Sequence, residues 1–251
     1  MSEPPNNPPP SGTPEGYVFI VTYGRSGSTL LQNLLNQIDG YCIRGENNNA
    51  LFHIARAWDA VAHSGEMAKR RKAARESGTS PIPSFGTSSD PWYGAEISDC
   101  DAFGRGLVDG FVRAVLSPEP GTRIAGFKEI RYHTHKEFFD TYLDFMSRFF
   151  PRARFIFNTR DLDAVAKSGW WAQMNPQAVR KKLEPADRLF RNYAERNQER
   201  CLMLHYDDYN GHPEELRPLL DFLGEPFDVD LVSRVMTQRL DHMRHPGEIG
   251  T

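Results

Sequence analysis

Residues 17–40 constrain the fold of this chain more than any other stretch. Tyr17-Val-Phe-Ile-Val-Thr-Tyr23 is a β-branched and aromatic run, the pattern of a strand buried in the middle of a sheet. A loop of small residues, Gly24-Arg-Ser-Gly-Ser-Thr29, follows it. Then Leu30, Leu31, Leu34, Leu35 and Ile38 recur at helical spacing until Gly40 stops the helix. Backbone amides in such a strand–loop–helix turn point inward, and the helix N-terminus adds partial positive charge, so the turn suits an anion. Gly24 and Gly27 permit positive φ and close approach of an oxyanion. Ser26, Ser28 and Thr29 supply hydroxyl donors, and Arg25 supplies a cation that binds oxyanions bidentately. The alternative is a capped turn with no ligand, because Ser and Thr are also ordinary N-caps.

The remaining pattern repeats strand and helix. Strands are expected at 41–44, 123–130, 154–158 and 201–206. Helices are expected at 50–61, 101–116, 135–150, 161–171, 186–197, 214–223 and 231–240. On the helix at 101–116, Phe103, Leu107, Phe111 and Val115 form the expected buried face. This rhythm predicts an α/β fold, a parallel sheet flanked by helices on both faces. A length of 251 residues fits a single domain. Residues 1–16, rich in Pro, Asn and Ser, are expected to form a disordered tail without a signal-peptide pattern. The irregular stretch around 66–96 is expected to be a lid or substrate insertion, and its basic run Lys69–Arg75 a solvated helix face.

Composition removes several function classes. A formal net charge of −3 gives no footprint for nucleic acid, so an anion site must be local. The longest apolar run is too short to cross a bilayer, so no membrane partner is expected. The three cysteines, Cys42, Cys100 and Cys201, are scattered. Neither a disulfide framework nor a metal site is expected from them, and a reducing cytoplasm fits.

A second site lies in Arg154-Phe-Ile-Phe-Asn-Thr-Arg160, followed by Asp161 to Ser168. Arg160 leaves the carboxyl end of a predicted strand, where α/β folds bind ligands. Ser168 is expected two turns into the next helix, facing back. The plainer alternative pairs Arg160 with Asp161 or Asp163 and leaves Ser168 on a helix face. A nucleoside-triphosphatase loop would need Lys where Gly27 stands, which counts against a kinase.

Gly24-Arg-Ser-Gly-Ser-Thr-Leu-Leu31 resembles the 5′-phosphosulfate loop of sulfotransferases that use 3′-phosphoadenosine 5′-phosphosulfate (PAPS). The Arg154–Ser168 segment is similar to that family's 3′-phosphate element, which ends a strand in Arg and places Ser eight residues later. Leu204-His-Tyr-Asp-Asp-Tyr209 is similar to its Tyr-Glu-Asp segment near the adenine. The resemblance covers about residues 17–224. It implies a P-loop-like fold and PAPS as co-substrate, without metal. It also implies a donor site of Arg25, Ser26, Gly27, Ser28, Thr29, Leu30, Arg160, Ser168 and Tyr206. Arg244-His-Pro-Gly247 departs from the family's C-terminal Arg-Lys-Gly pair.

Sulfuryl transfer needs a base for the acceptor hydroxyl and cations for the leaving group. Bacterial members resembling the trehalose-sulfating type place a catalytic Glu where Glu46 stands, and Lys128 matches a family lysine that assists departure. Arg25 serves the same end. Ile130 occupies the position of the histidine base of cytosolic members. Glu129, His133 and His135 therefore remain alternatives to Glu46 as the base. Trp170 and Trp171 are candidate walls for a carbohydrate or small natural-product acceptor. A P-loop kinase and an inactive nucleotide-binding module are the competing functions.

Overall fold

The computed structural model describes residues 14–76, 82 and 84–237. Residues 1–13 of the expected tail, residues 238–240 of the last helix and the Arg244–Gly247 segment lie outside them. Five parallel strands form one sheet in the order β2-β3-β1-β4-β5. They are β1 (Gly16–Thr22), β2 (Tyr41–Arg44), β3 (Ile124–Glu129), β4 (Ala153–Thr159) and β5 (Cys201–His205). β1 is central and opens one residue earlier than the tail expectation allowed, at Gly16, whose amide bonds Arg123 O.

Every residue of β1 is buried, and its side chains alternate between two cores. Tyr17, Phe19 and Val21 enter the larger core, and Val18 and Ile20 the other. Helices α2 (Ala50–Ala62), α4 (Cys100–Phe111), α5 (Phe139–Phe149) and α7 (Pro176–Arg196) cover the first face. Phe19 sits there among Phe127, Phe150 and Phe155, with ring centroids 5.1 to 5.6 Å apart. Helices α1 (Ser28–Leu35), α9 (Arg217–Leu223) and α10 (Val229–Thr237) cover the second.

Several elements differ from expectation for local reasons. α7 runs for 21 residues, from Pro176 and through Pro185, whereas the expected helix began only at 186. Asn175 caps it, and Pro176 takes the first position, whose N–H no helix uses. On α4 the buried face is Gly104, Val108 and Phe111, whereas Phe103 and, beyond the helix, Val115 are exposed. The Phe149 ring lies where a Cβ on Gly104 would be, so the helix turns its glycine inward. Helix α3 (Gly65–Arg75) is not wholly solvated along its basic run. Arg70 is buried and paired with the buried Asp90, and Arg71 binds Ser98 and the Ala62 carbonyl. Two of the run's cations therefore anchor the segment that follows. Among the described residues, no helix is long and apolar enough to cross a membrane.

Parallel register brings the strand ends level. Val21 pairs with Glu129, Thr22 with Asn158, and Thr159 with His205. The chain leaves β1 for β2 past β3, then returns to β4 on its other side, so the carboxyl end of β1 is the switch point where such folds bind ligands.

Candidate active site

The loop after β1 is shaped by positive φ at Arg25 (71°) and Gly27 (80°). A Cβ on Gly24 would lie 2.2 Å from the Trp170 ring, and one on Gly27 would lie 2.1 Å from Tyr206. Gly27 is thus fixed by both close packing and conformation, whereas Gly24, which does not take the expected positive φ, is fixed by the packing of Trp170 alone. Gly27 occupies the N-cap of α1, which has no side-chain cap. No Ser or Thr side chain caps the helix as the capped-turn alternative required, and Leu30 N donates to Gly27 O (3.0 Å).

Beneath the loop lies a buried polar network absent from the sequence-derived set. Thr22 Oγ1 donates to Asn158 O (2.7 Å) and shares a 2.6 Å bond with Ser26 Oγ. Asn158 Nδ2 donates to Ser26 O (2.8 Å), and Tyr209 OH donates to Asn158 Oδ1 (2.8 Å). Ser26 is fully buried, with its hydroxyl turned into this network and away from solvent. Ser28 and Leu30 are buried on α1, and Thr29 is partly exposed.

Arg160 and Ser168 converge on the same loop from the β4 side. Arg160 Nη1 donates to Arg25 O (3.1 Å), and Arg25 Nε donates to Ser168 Oγ (3.0 Å). The Arg160 guanidinium lies 4.7 Å from the Tyr206 ring centroid. Its backbone is held by Tyr23, whose OH accepts from Arg160 N (3.0 Å). The plainer ion pair is not formed: Asp161 caps the next helix and Asp163 pairs with Arg180. Asp207 stands 3.9 Å from Arg160 Nε, and that buried nitrogen has no hydrogen-bond partner.

Ser168 is not within a helix as expected. α6 (Leu162–Ala166) ends before it, and Ser168 is extended, leading into a 3₁₀ turn at Gly169–Gln173 with Gly169 at φ 55°. The break aims the hydroxyl at Arg25 and separates the two tryptophans. Trp171 is buried and donates to Gly24 O (3.0 Å), whereas Trp170 is half exposed against Gly24. Tyr206 begins the short α8 (Tyr206–Tyr209) and does not end β5.

On the other side of β1, Glu46 and Lys128 meet. Lys128 Nζ donates to Glu46 Oε1 (2.7 Å), and Arg131 Nη1 donates to Glu46 Oε2 (3.1 Å). Arg44 is engaged elsewhere, with the carbonyls of Leu116 and Ser117. Glu129 is fully buried and accepts three hydrogen bonds, from the Asn49 and Ile130 amides and from Arg131. A carboxylate so saturated and enclosed is a poor base for an incoming hydroxyl. Burial, then Lys182 and Lys136, push the His133 pKa down to about 4. Its ring meets Tyr23 edge-on at 6.3 Å. His135 stacks on Phe52 at 4.3 Å.

Sequence reasoning missed Asn158, Thr22, Tyr23 and Arg131. The one signal for the first two is a polar residue ending an otherwise apolar strand.

A five-stranded parallel sheet with an uncapped glycine loop at its switch point, flanked by two arginines and by a carboxylate–lysine pair, is the frame of a ligand-binding α/β domain. The family description that matches the chain, over residues 17–229, is the sulfotransferase family, and the chain belongs to it. It resembles the sulfotransferase domain of the Synechococcus PCC 7002 olefin synthase, at 19% identity and TM-score 0.56. That match covers 98% of this chain and 85% of the other. The sulfotransferase domain from the curacin biosynthetic pathway matches at 18% identity and TM-score 0.47, covering 91% and 80%. At these identities the first likeness bears on the fold. No relative among the curated proteins matches the chain.

Two outcomes follow from this geometry. Asn158→Ala strands the Ser26 carbonyl and the Tyr209 hydroxyl, and is expected to destabilise the fold by about 2–4 kcal/mol in urea unfolding. A loss under about 0.5 kcal/mol would show the network to be dispensable. The His133 pKa lies below the ordinary 6.5, so the unfolded chain binds its proton first as pH falls. Stability is expected to drop between about pH 6.5 and 4. His133→Phe should flatten that part of the stability–pH curve, and an unaltered slope would contradict the assignment.

Proposed function

We propose that this sulfotransferase takes its sulfuryl group from PAPS and delivers it to a hydroxyl of a carbohydrate or small natural product, in a cytoplasmic setting. The observation that carries this reading is the buried Arg160 Nε, without a hydrogen bond and with Asp207 no nearer than 3.9 Å, beside Arg25 and Ser168 on the β4 side of the uncapped loop. An orphaned donor in a cationic recess is accounted for by an anionic ligand. One anion site at the helix N-terminus and a second at Arg160 match a nucleotide phosphorylated at both its 5′ and 3′ ends.

In this reading the amides of residues 26–29 and the hydroxyls of Ser28 and Thr29 hold the 5′-phosphosulfate. Arg160 and Ser168 hold the 3′-phosphate, and Tyr206 lies against the loop where the base would stack. Ser26 contributes its amide and braces the loop through Thr22. Glu46 takes the proton of the acceptor hydroxyl as its oxygen bonds to sulfur. The bond from sulfur to the phosphate oxygen breaks, and its electron pair leaves with 3′,5′-diphosphoadenosine. Lys128 and Arg25 offset that charge. An ammonium has three N–H donors, so Lys128 can keep Glu46 while donating to the donor as well. α3 and the segment after it are assigned to the acceptor side.

Calorimetric titration tests the donor. Wild type is expected to bind 3′,5′-diphosphoadenosine and not ATP with Mg²⁺, and Arg160→Ala to weaken the former about 100-fold. Preference for ATP with Mg²⁺ would replace this reading by a kinase-type one.

A further inference from the structure

Glu129 is a buried acid that the proposed reaction does not use, yet it is joined to the residues that the reaction does use. Its Oε2 accepts from Asn49 N (2.8 Å), and its Oε1 accepts from Ile130 N (2.8 Å) and Arg131 Nη1 (2.8 Å). The same Nη1 donates to Glu46 Oε2 (3.1 Å), and Glu46 Oε1 takes Lys128 (2.7 Å). Two carboxylates therefore share one guanidinium nitrogen, and the four side chains together are neutral.

The turn between Glu46 and α2 is strained. Asn48 and Asn49 both hold positive φ, 57° and 60°, without being glycine. Asparagine enters this region more readily than other side chains, but as single residues and not two in succession. The turn also buries Asn47 Nδ2 and Asn49 Oδ1 without hydrogen-bond partners. Within the turn Ala50 N donates to Asn47 O (3.2 Å) and Asn47 Oδ1 (3.0 Å), and from outside it Glu129 pins Asn49 N (2.8 Å). Strain held by a buried partner beside reacting groups is a mark of positioning.

We propose that Glu129 is a positioning residue that sets Glu46 for proton transfer in two ways. It pins the turn carrying Glu46 to the end of β3, and it holds back Arg131. Without Glu129, Arg131 is free to fork onto both oxygens of Glu46 and neutralise the base. This inference rests on the reading of Glu46 as the base in sulfuryl transfer.

The test follows conversion of PAPS to 3′,5′-diphosphoadenosine, with water or an added hydroxyl compound as acceptor, in wild type, Glu129→Gln, Glu46→Gln and the double variant. Glutamine keeps the size but places an amide NH₂ where an oxygen accepted. Glu129→Gln is expected to lower kcat about 100-fold, the order that a misplacement near 1 Å produces. The KM for PAPS and the affinity for 3′,5′-diphosphoadenosine should stay within about twofold. Adding Glu129→Gln to Glu46→Gln should lower kcat no further, and Glu129→Asp should recover part of the rate. Should Glu129→Gln not fold, Glu129→Asp in both Glu46 backgrounds carries the same comparison, with a smaller loss expected in the Glu46 background and none in the Glu46→Gln background. Losses that multiply between the two sites, or an unchanged kcat, would overturn the positioning role. Failure of wild type to bind 3′,5′-diphosphoadenosine would instead remove the donor reading beneath it.

Discussion

The site depends on one buried side chain, the Asn158 amide. Its Nδ2 holds the Ser26 carbonyl, its Oδ1 receives Tyr209, and its backbone carbonyl receives Thr22, which in turn meets Ser26. Every polar group named in this network has a partner, which is what allows such a network to rigidify a core instead of weakening it. It ties the glycine loop to β4 from beneath. Above the network Trp170 packs on Gly24 and Tyr206 on Gly27, and Arg25, Gly27 and Thr29 remain partly exposed. A loop whose backbone enters two left-handed positions would otherwise have several conformations of similar energy.

From that fixed loop the two halves of the site are built by the topology. β4 lies on one side of β1 and contributes Arg160 and, past a broken helix, Ser168. β3 lies on the other and contributes Lys128 and Arg131, with Glu46 arriving from the end of β2. On the β4 side Arg160 meets the Arg25 carbonyl, with Asp207 at 3.9 Å, and Arg25 meets the Ser168 hydroxyl. The cations on the β3 side are matched by carboxylates. The proposed reading gives the first half to phosphate and the second to proton transfer. In the proposed reading, a chain of net charge −3 holds an anionic donor through cations gathered at the carboxyl ends of β3, β1 and β4.

Much of this was legible in sequence where physics is local. β1, the glycine loop and α1 follow from periodicity and small residues, and Arg160 follows from its place at a strand end. Ser168 was placed wrongly because the stretch 161–171 reads as one helix, and only Gly169 hints at the break. Pro185 concealed the length of α7, since the expected helix began only after it. Phe103 appeared buried because the sequence pattern weighs apolar side chains, not the space that Gly104 leaves for Phe149. The Asn158 network, the shared Arg131 and the inward turn of Arg70 to Asp90 depend on which strands and loops become neighbours. No single segment encodes them.

The central claim is that Arg160 and Ser168 form a pocket for a 3′-phosphate beside a loop for the 5′ end. Its most direct measurement compares the affinity of wild type for 3′,5′-diphosphoadenosine and for adenosine 5′-monophosphate. Loss of the 3′-phosphate is expected to weaken binding about 100-fold, the worth of two charge-assisted hydrogen bonds. Equal affinity for the two nucleotides would contradict the account, since the β4 half of the site would then hold no phosphate.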